Sequence, residues 1–118
     1  MKNVYRKLVY SLVLGASLMA YAEDWSAWDT CDADNELSVR TKLSSHNGYS
    51  NQCDWFVQIQ NNHSWTADIH YGASSQAGQV QADHTSLNTR PGASVSVVLT
   101  VPCSGSIYVG ARGTQSTR

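Results

Sequence analysis

Asp54-Trp55-Phe56-Val57-Gln58-Ile59-Gln60 alternates without a break. Trp55, Val57 and Ile59 take every second position, and Phe56, Gln58 and Gln60 fill the positions between. Successive side chains of a strand point to opposite faces, so this period of two predicts a strand with one buried side and one outward side. A helix would place apolar residues three and four apart, and no long segment of the chain does so.

The same pattern recurs on either side of it. In 36–43, Leu37, Val39, Thr41 and Leu43 alternate with Ser38, Arg40 and Lys42. In 65–71, Ala67, Ile69 and Tyr71 alternate with Thr66, Asp68 and His70. Val95, Val97, Leu99 and Val101 share one face of 93–101. Ile107, Val109 and Ala111 share one face of 106–112, opposite Tyr108 and Arg112. A further strand is expected at 84–89, preceded by a mobile loop. The polar stretch 72–89 offers only Val80 and Leu87 as apolar anchors.

The connections carry turn chemistry. His46-Asn47-Gly48 and Asn61-Asn62-His63-Ser64 read as polar turns. Arg90-Pro91-Gly92 and Cys103-Ser104-Gly105 interrupt the pattern with residues whose backbone angles strands avoid. Six or seven short strands joined in this way predict an all-β chain folded as a small antiparallel β-sandwich. It is immunoglobulin-like only in the loose sense, because the Cys–Trp–Cys spacing of a true immunoglobulin domain is absent.

The chain opens differently. Lys2, Arg6 and Lys7 precede or border an apolar run over 8–20, and Ala20-Tyr21-Ala22 follows with small residues at two key positions. That order is the pattern of a secretory signal peptide. A membrane-spanning helix needs roughly 20 apolar residues, more than this run supplies. The expectation is a signal peptide over 1–22, cleaved near Ala22, and one domain over 23–118. The product is then secreted or periplasmic, with no membrane span after cleavage. From Glu23 onward there are five basic residues and nine acids, a net charge of −4 against −1 for the whole chain. Phosphate backbones are bound by clustered Lys and Arg, so this balance argues against a nucleic-acid partner.

Three cysteines follow the leader: Cys31, Cys53 and Cys103. An odd number in an exported chain implies one bridge and one remaining thiol, or a bridge between molecules. Strand direction ranks the pairs. With a strand at 84–89, Cys103 falls at the same end of the sandwich as Cys53; without it, Cys103 falls beside Cys31. Cys53–Cys103 is the expected bridge and Cys31–Cys103 the alternative. A homodimer through the cysteine outside the bridge is a further alternative. No Cys-x-x-Cys is present, and no His or basic residue adjoins a cysteine to activate it.

Trp25 and Trp28, spaced Trp-Ser-Ala-Trp before Cys31 and followed by Arg40 and Lys42, resemble the opening of a thrombospondin type 1 repeat. In that family tryptophans stack against arginines of a neighbouring strand. The resemblance ends at Lys42. The second cysteine and the glycine of that pattern are missing after Cys31, and the later strands are longer than that three-stranded module carries. Read from the residues alone, Trp25 and Trp28 are two large rings that pin the N-terminal segment to the sandwich, or an aromatic pair for a ligand.

The outward positions supply the candidate binding face: Arg40, Phe56, Gln58, Asp68, His70, Tyr108 and Arg112. If their strands share a sheet, rings and amides lie side by side, which suits a protein or glycan ligand. His63, Asp68, His70 and His84 form a weak candidate metal set, without the fixed spacing of a metal motif. No cofactor motif and no Gly-x-Ser-x-Gly nucleophile context is present. The expected function is that of an exported, non-enzymatic binding module. The alternatives are a self-assembling adhesive component and a small exported metal protein or hydrolase.

Overall fold

Period-two alternation leaves each strand with one apolar side, and two sheets bury those sides against each other. The computed structural model describes residues 6–9, 24–47, 51–77 and 83–117, with the backbone alone at 6–9, 46 and 47. The expected signal peptide, apart from 6–9, and the loop around Val80 lie outside the described residues.

Eight strands follow in order: β1 (Arg6–Val9), β2 (Asp29–Thr30), β3 (Leu37–Asn47), β4 (Gln52–Asn61), β5 (Ala67–Ser74), β6 (His84–Thr89), β7 (Ser94–Pro102) and β8 (Ser106–Gln115). They form two four-stranded antiparallel sheets, ordered β1-β8-β5-β6 and β2-β3-β4-β7. The fold is therefore the expected all-β sandwich, with seven of its strands after Glu23 and no helix among the described residues. The alternating positions meet as predicted. Leu37, Val39, Val57, Ile59, Ile69, Ile107 and Val109 are all fully buried.

Three expectations need correction. The ladder between β3 and β4 runs on through His46 and Asn47, opposite Cys53 and Gln52, so the expected turn there begins later. A bulge between Leu43 and Ser45 lets the pairing continue past the point where alternation fails. Leu87 is not an anchor, because it is 56% exposed. The register of β5 and β6 shifts between Ala67 and Ile69, and Asn88 sits there at φ 55, which turns Leu87 out of the core. Asn61 belongs to the end of β4 and not to a solvated turn, and it is fully buried.

That buried carboxamide is fully used. Asn61 Nδ2 donates to the carbonyls of Trp65 at 3.0 Å and Thr89 at 2.9 Å, and Oδ1 accepts the His63 amide at 2.9 Å. Its backbone N–H donates to Ala93 O at 2.9 Å, and its carbonyl accepts the Gly92 amide at 2.7 Å. One residue thus ties the end of β4 to the β4–β5 connection, the end of β6 and the β6–β7 turn. At the opposite end of β4, Cys53 is bonded to Cys103, with 5.0 Å between their Cα atoms. This is the expected bridge. It fastens β4 where the chain leaves β7 for the other sheet.

The bridge spans 50 residues, for which the chain-entropy account gives about 4 kcal/mol. Cys53→Ser with Cys103→Ser is expected to lose about that much in denaturant unfolding. Asn61→Ala strands the buried Thr89 carbonyl and two half-buried groups, the Trp65 carbonyl and the His63 amide, and is expected to cost about 3 kcal/mol by the same measurement.

Candidate functional site

The register of the β2-β3-β4-β7 sheet lines up its outward residues in rows. Lys42 lies opposite Phe56, and Phe56 opposite Val98; Arg40 lies opposite Gln58, and Gln58 opposite Ser96. The segment before β2 is laid along β3. The Ser26 amide donates to Thr41 O at 2.9 Å, and the Thr41 amide donates to Ser26 Oγ at 3.0 Å. Asp29 and Thr30 then pair with Val39 and Ser38. This path carries Trp25 and Trp28 over the outer side of β3.

The result is a stack of rings and cations. Arg40 Cζ lies 4.5 Å from the Trp25 ring centre and 4.7 Å from that of Trp28. Lys42 Nζ lies 5.9 Å from the rings of both Trp25 and Phe56. Trp25 and Phe56 are themselves 6.4 Å apart and tilted by 39°. The negative face of each ring attracts the neighbouring cation, which holds the segment down without a covalent link. Arg40 Nε also donates to Gln58 Oε1 at 2.7 Å, and Gln58 Nε2 to Ser96 Oγ at 3.2 Å. The guanidinium is thus held in place from both β4 and the N-terminal segment. On the same face Trp28 is 40% exposed, Phe56 39% and Val98 52%. Such an apolar centre with a polar surround has the composition of a recognition surface. Asp54 closes one end of the face, accepting from Ser45 Oγ at 3.2 Å and Thr100 Oγ1 at 2.6 Å.

The seven-residue candidate face is split by the fold. Arg40, Phe56 and Gln58 lie on this sheet, whereas Asp68, His70, Tyr108 and Arg112 lie on β5 and β8 of the other. There Asp68 is opposite Thr114, His70 opposite Arg112, and Ser74 opposite Tyr108. The two groups point away from each other on opposite outer sides of the sandwich. The chain changes sheet between β4 and β5, and a period of two cannot show that. Asp68 is only 9% exposed and accepts the Asn88 amide at 2.9 Å, where it holds the β6 bulge.

The four weak metal candidates are likewise dispersed. His63 Nε2 lies 2.9 Å from Asp34 Oδ2, which also accepts the Gly113 amide at 2.8 Å. His63 stacks on Trp65 with 3.8 Å between ring centres. A Cβ at Gly113 would meet Ala67 Cβ and Asp34 Oδ2, both at 3.4 Å, so a glycine allows this contact between β8 and the β2–β3 connection. His70 bridges Thr85 and Thr114, each at 3.1 Å. His84 stacks on Tyr71 at 5.4 Å, and its Nε2 is buried without a hydrogen-bond partner. Burial raises the Tyr71 phenol above its ordinary value. Among the described residues, no group of three or more His, Cys, Asp or Glu is placed to hold a metal ion.

Cys31 remains a thiol at 1% exposure, so a covalent dimer through it has no thiol at the surface to start from. An open cleft of about 510 Å³ lies between the edges β6 and β7, lined by Tyr71, Asn88, Arg90 and Val97 among others, and none of the candidate residues faces it. Sequence reasoning missed Val98, an apolar residue at an outward position of 93–101. The Asp34–His63–Gly113 contact joins three distant stretches and has no local signal.

The stacking of tryptophans on arginine implied by the thrombospondin-type resemblance does form, but on a two-sheet sandwich. No protein-family model matches the chain, no curated protein matches it, and no solved structure matches it.

Arg40→Ala removes the cation common to both tryptophans. It is expected to red-shift tryptophan emission and to cost about 1–2 kcal/mol of stability, in line with two cation–ring contacts. Limited proteolysis should then cut before Cys31 first. An unchanged spectrum and cleavage pattern would mean that the segment is held by its backbone bonds alone.

Proposed function

We propose that this chain is an exported, non-enzymatic binding module that recognises a partner protein or glycan through the outer face of the β2-β3-β4-β7 sheet. One observation carries the reading. The Arg40 guanidinium lies against both Trp25 and Trp28, one row from the exposed Phe56 and Val98. A fixed charge beside exposed rings offers direction and area at little entropic cost on binding. The rings supply the contact surface, Arg40 and Gln58 the hydrogen-bonding edge, and Lys42 a second positive charge.

Export is supported by the leader pattern at 1–22 and by a disulfide that closes a long loop. No helix among the described residues is long and apolar enough to cross a membrane. The face divides between the sheets in a way that favours one side. The β5–β8 side is built around His70, whose two ring nitrogens already face Thr85 and Thr114.

The test is a glycan array together with cross-linking of the exported protein to its neighbours in the native compartment. Phe56→Ala is expected to weaken the captured interaction about tenfold or more, since a large ring is lost from the centre of the face. Arg112→Ala, on the opposite side, is expected to leave it intact. The reverse pattern would move the site to the β5–β8 sheet and overturn the assignment.

A further inference from the structure

β8 has unequal neighbours. On one side β5 pairs with it from Tyr108 to Gln115. On the other side β1 pairs with it over four positions: Arg6 with Val109, Lys7 with Tyr108, Leu8 with Ile107 and Val9 with Ser106. At Ser106 and Ile107, β1 is therefore the sole ladder partner among the described residues. Ile107 and Val109 are both fully buried beside it. Yet β1 lies inside the stretch read as a signal peptide. Once that stretch is cleaved, this edge loses its strand.

An unpaired edge is a template for another strand, and sheets guard such edges with charge, proline or a bulge. The other edge of the same sheet is guarded in this way. β6 carries the bulge at Asn88 and is followed by Arg90 and Pro91. The run Ser106-Ile107-Tyr108-Val109 has no charge and no proline, and its pairing with β1 is regular.

We infer that the processed protein accepts, along β8, an antiparallel extended segment of another polypeptide that takes the place of β1. The site is separate from the aromatic face and rests on the export part of the proposed function. β1 defines what the occupant must be. It runs antiparallel and contributes about four residues to the ladder, with position 8 of the sequence, a leucine, in register with the buried Ile107. Main-chain bonds supply the affinity of such an added strand, and the residues at alternate positions supply its selectivity. In the unprocessed chain the leader occupies this edge, so acceptance begins only after cleavage.

The exported protein is purified and its N-terminus read by mass spectrometry. It is then titrated with a synthetic peptide of residues 4–11, and with the same peptide carrying Leu8→Asp. A protein beginning near Glu23 is expected to bind the parent peptide one to one, with amide shifts at 106–109. The Leu8→Asp peptide should bind about tenfold more weakly or worse. No saturable binding to the folded, processed protein would overturn the inference, as would equal binding of both peptides. So would self-association through 106–109 that the peptide does not reverse. An intact Met1 would remove the export reading alone. The edge is then tested on the full chain, where Leu8→Pro should admit the peptide and the unsubstituted chain should not. The same response from both chains would overturn it.

Discussion

The sandwich depends on one buried carboxamide. Asn61 ends an inner strand of its sheet in a fully buried position; its side chain bonds to the β4–β5 connection and the end of β6, and its backbone to the β6–β7 turn. A buried polar group without partners is costly, and one with all its partners present is strongly directional. The apolar core supplies the drive to bring the sheets together but is tolerant of direction. The Asn61 bonds are not tolerant. They require the β4–β5 connection, the end of β6 and the β6–β7 turn to converge on one point. The disulfide performs the corresponding task at the other end of β4. Between these two fixed ends, β4 sets the register of both its neighbours.

That register creates the aromatic face. β3 and β7 pair with β4 on either side, so Lys42, Phe56 and Val98 fall in one row and Arg40, Gln58 and Ser96 in the next. A slip of one residue in either ladder would send the whole outward set inward. The N-terminal segment then completes the face by adding two indole rings from outside the regular sheet. Its backbone bonds to β3 and its stacking on Arg40 reinforce each other, because each fixes the position that the other needs. The ordering of this segment and the shape of the proposed recognition surface are thus the same event.

The two edges of the β1-β8-β5-β6 sheet show how differently a strand can end a sheet. At β6 a bulge, a left-handed Asn88 and the carboxylate of Asp68 break the regular ladder. At the other edge β1 pairs with β8 in a regular ladder. The acids and histidines that looked chemically suggestive in the sequence are occupied with such structural tasks. Asp34 and His63 join the β2–β3 connection to β8, and His70 spans three strands through two threonines.

The sequence by itself determined β3 to β8, most of their buried sides and the class of fold, whereas β1 and the two-residue β2 were not legible in it. Alternation is a local property of the chain, and each of Trp55, Val57 and Ile59 turned inward as their spacing required. It also carried the cysteine pairing, because strand direction alternates predictably along an antiparallel chain. Even Asn61 was readable in principle, since it continues the odd-numbered inward series of β4. Only the tertiary structure decided which strands share a sheet. Phe56 and Tyr108 have the same outward pattern, but the crossing from β4 to β5 puts them on opposite sides of the molecule. A period of two reports inside or outside, and it holds no information about which outside. Proximity between Trp25, Arg40 and Phe56, or between Asp34, His63 and Gly113, arises from pairings far apart in the chain, where loop closure and packing of the whole domain choose the partners.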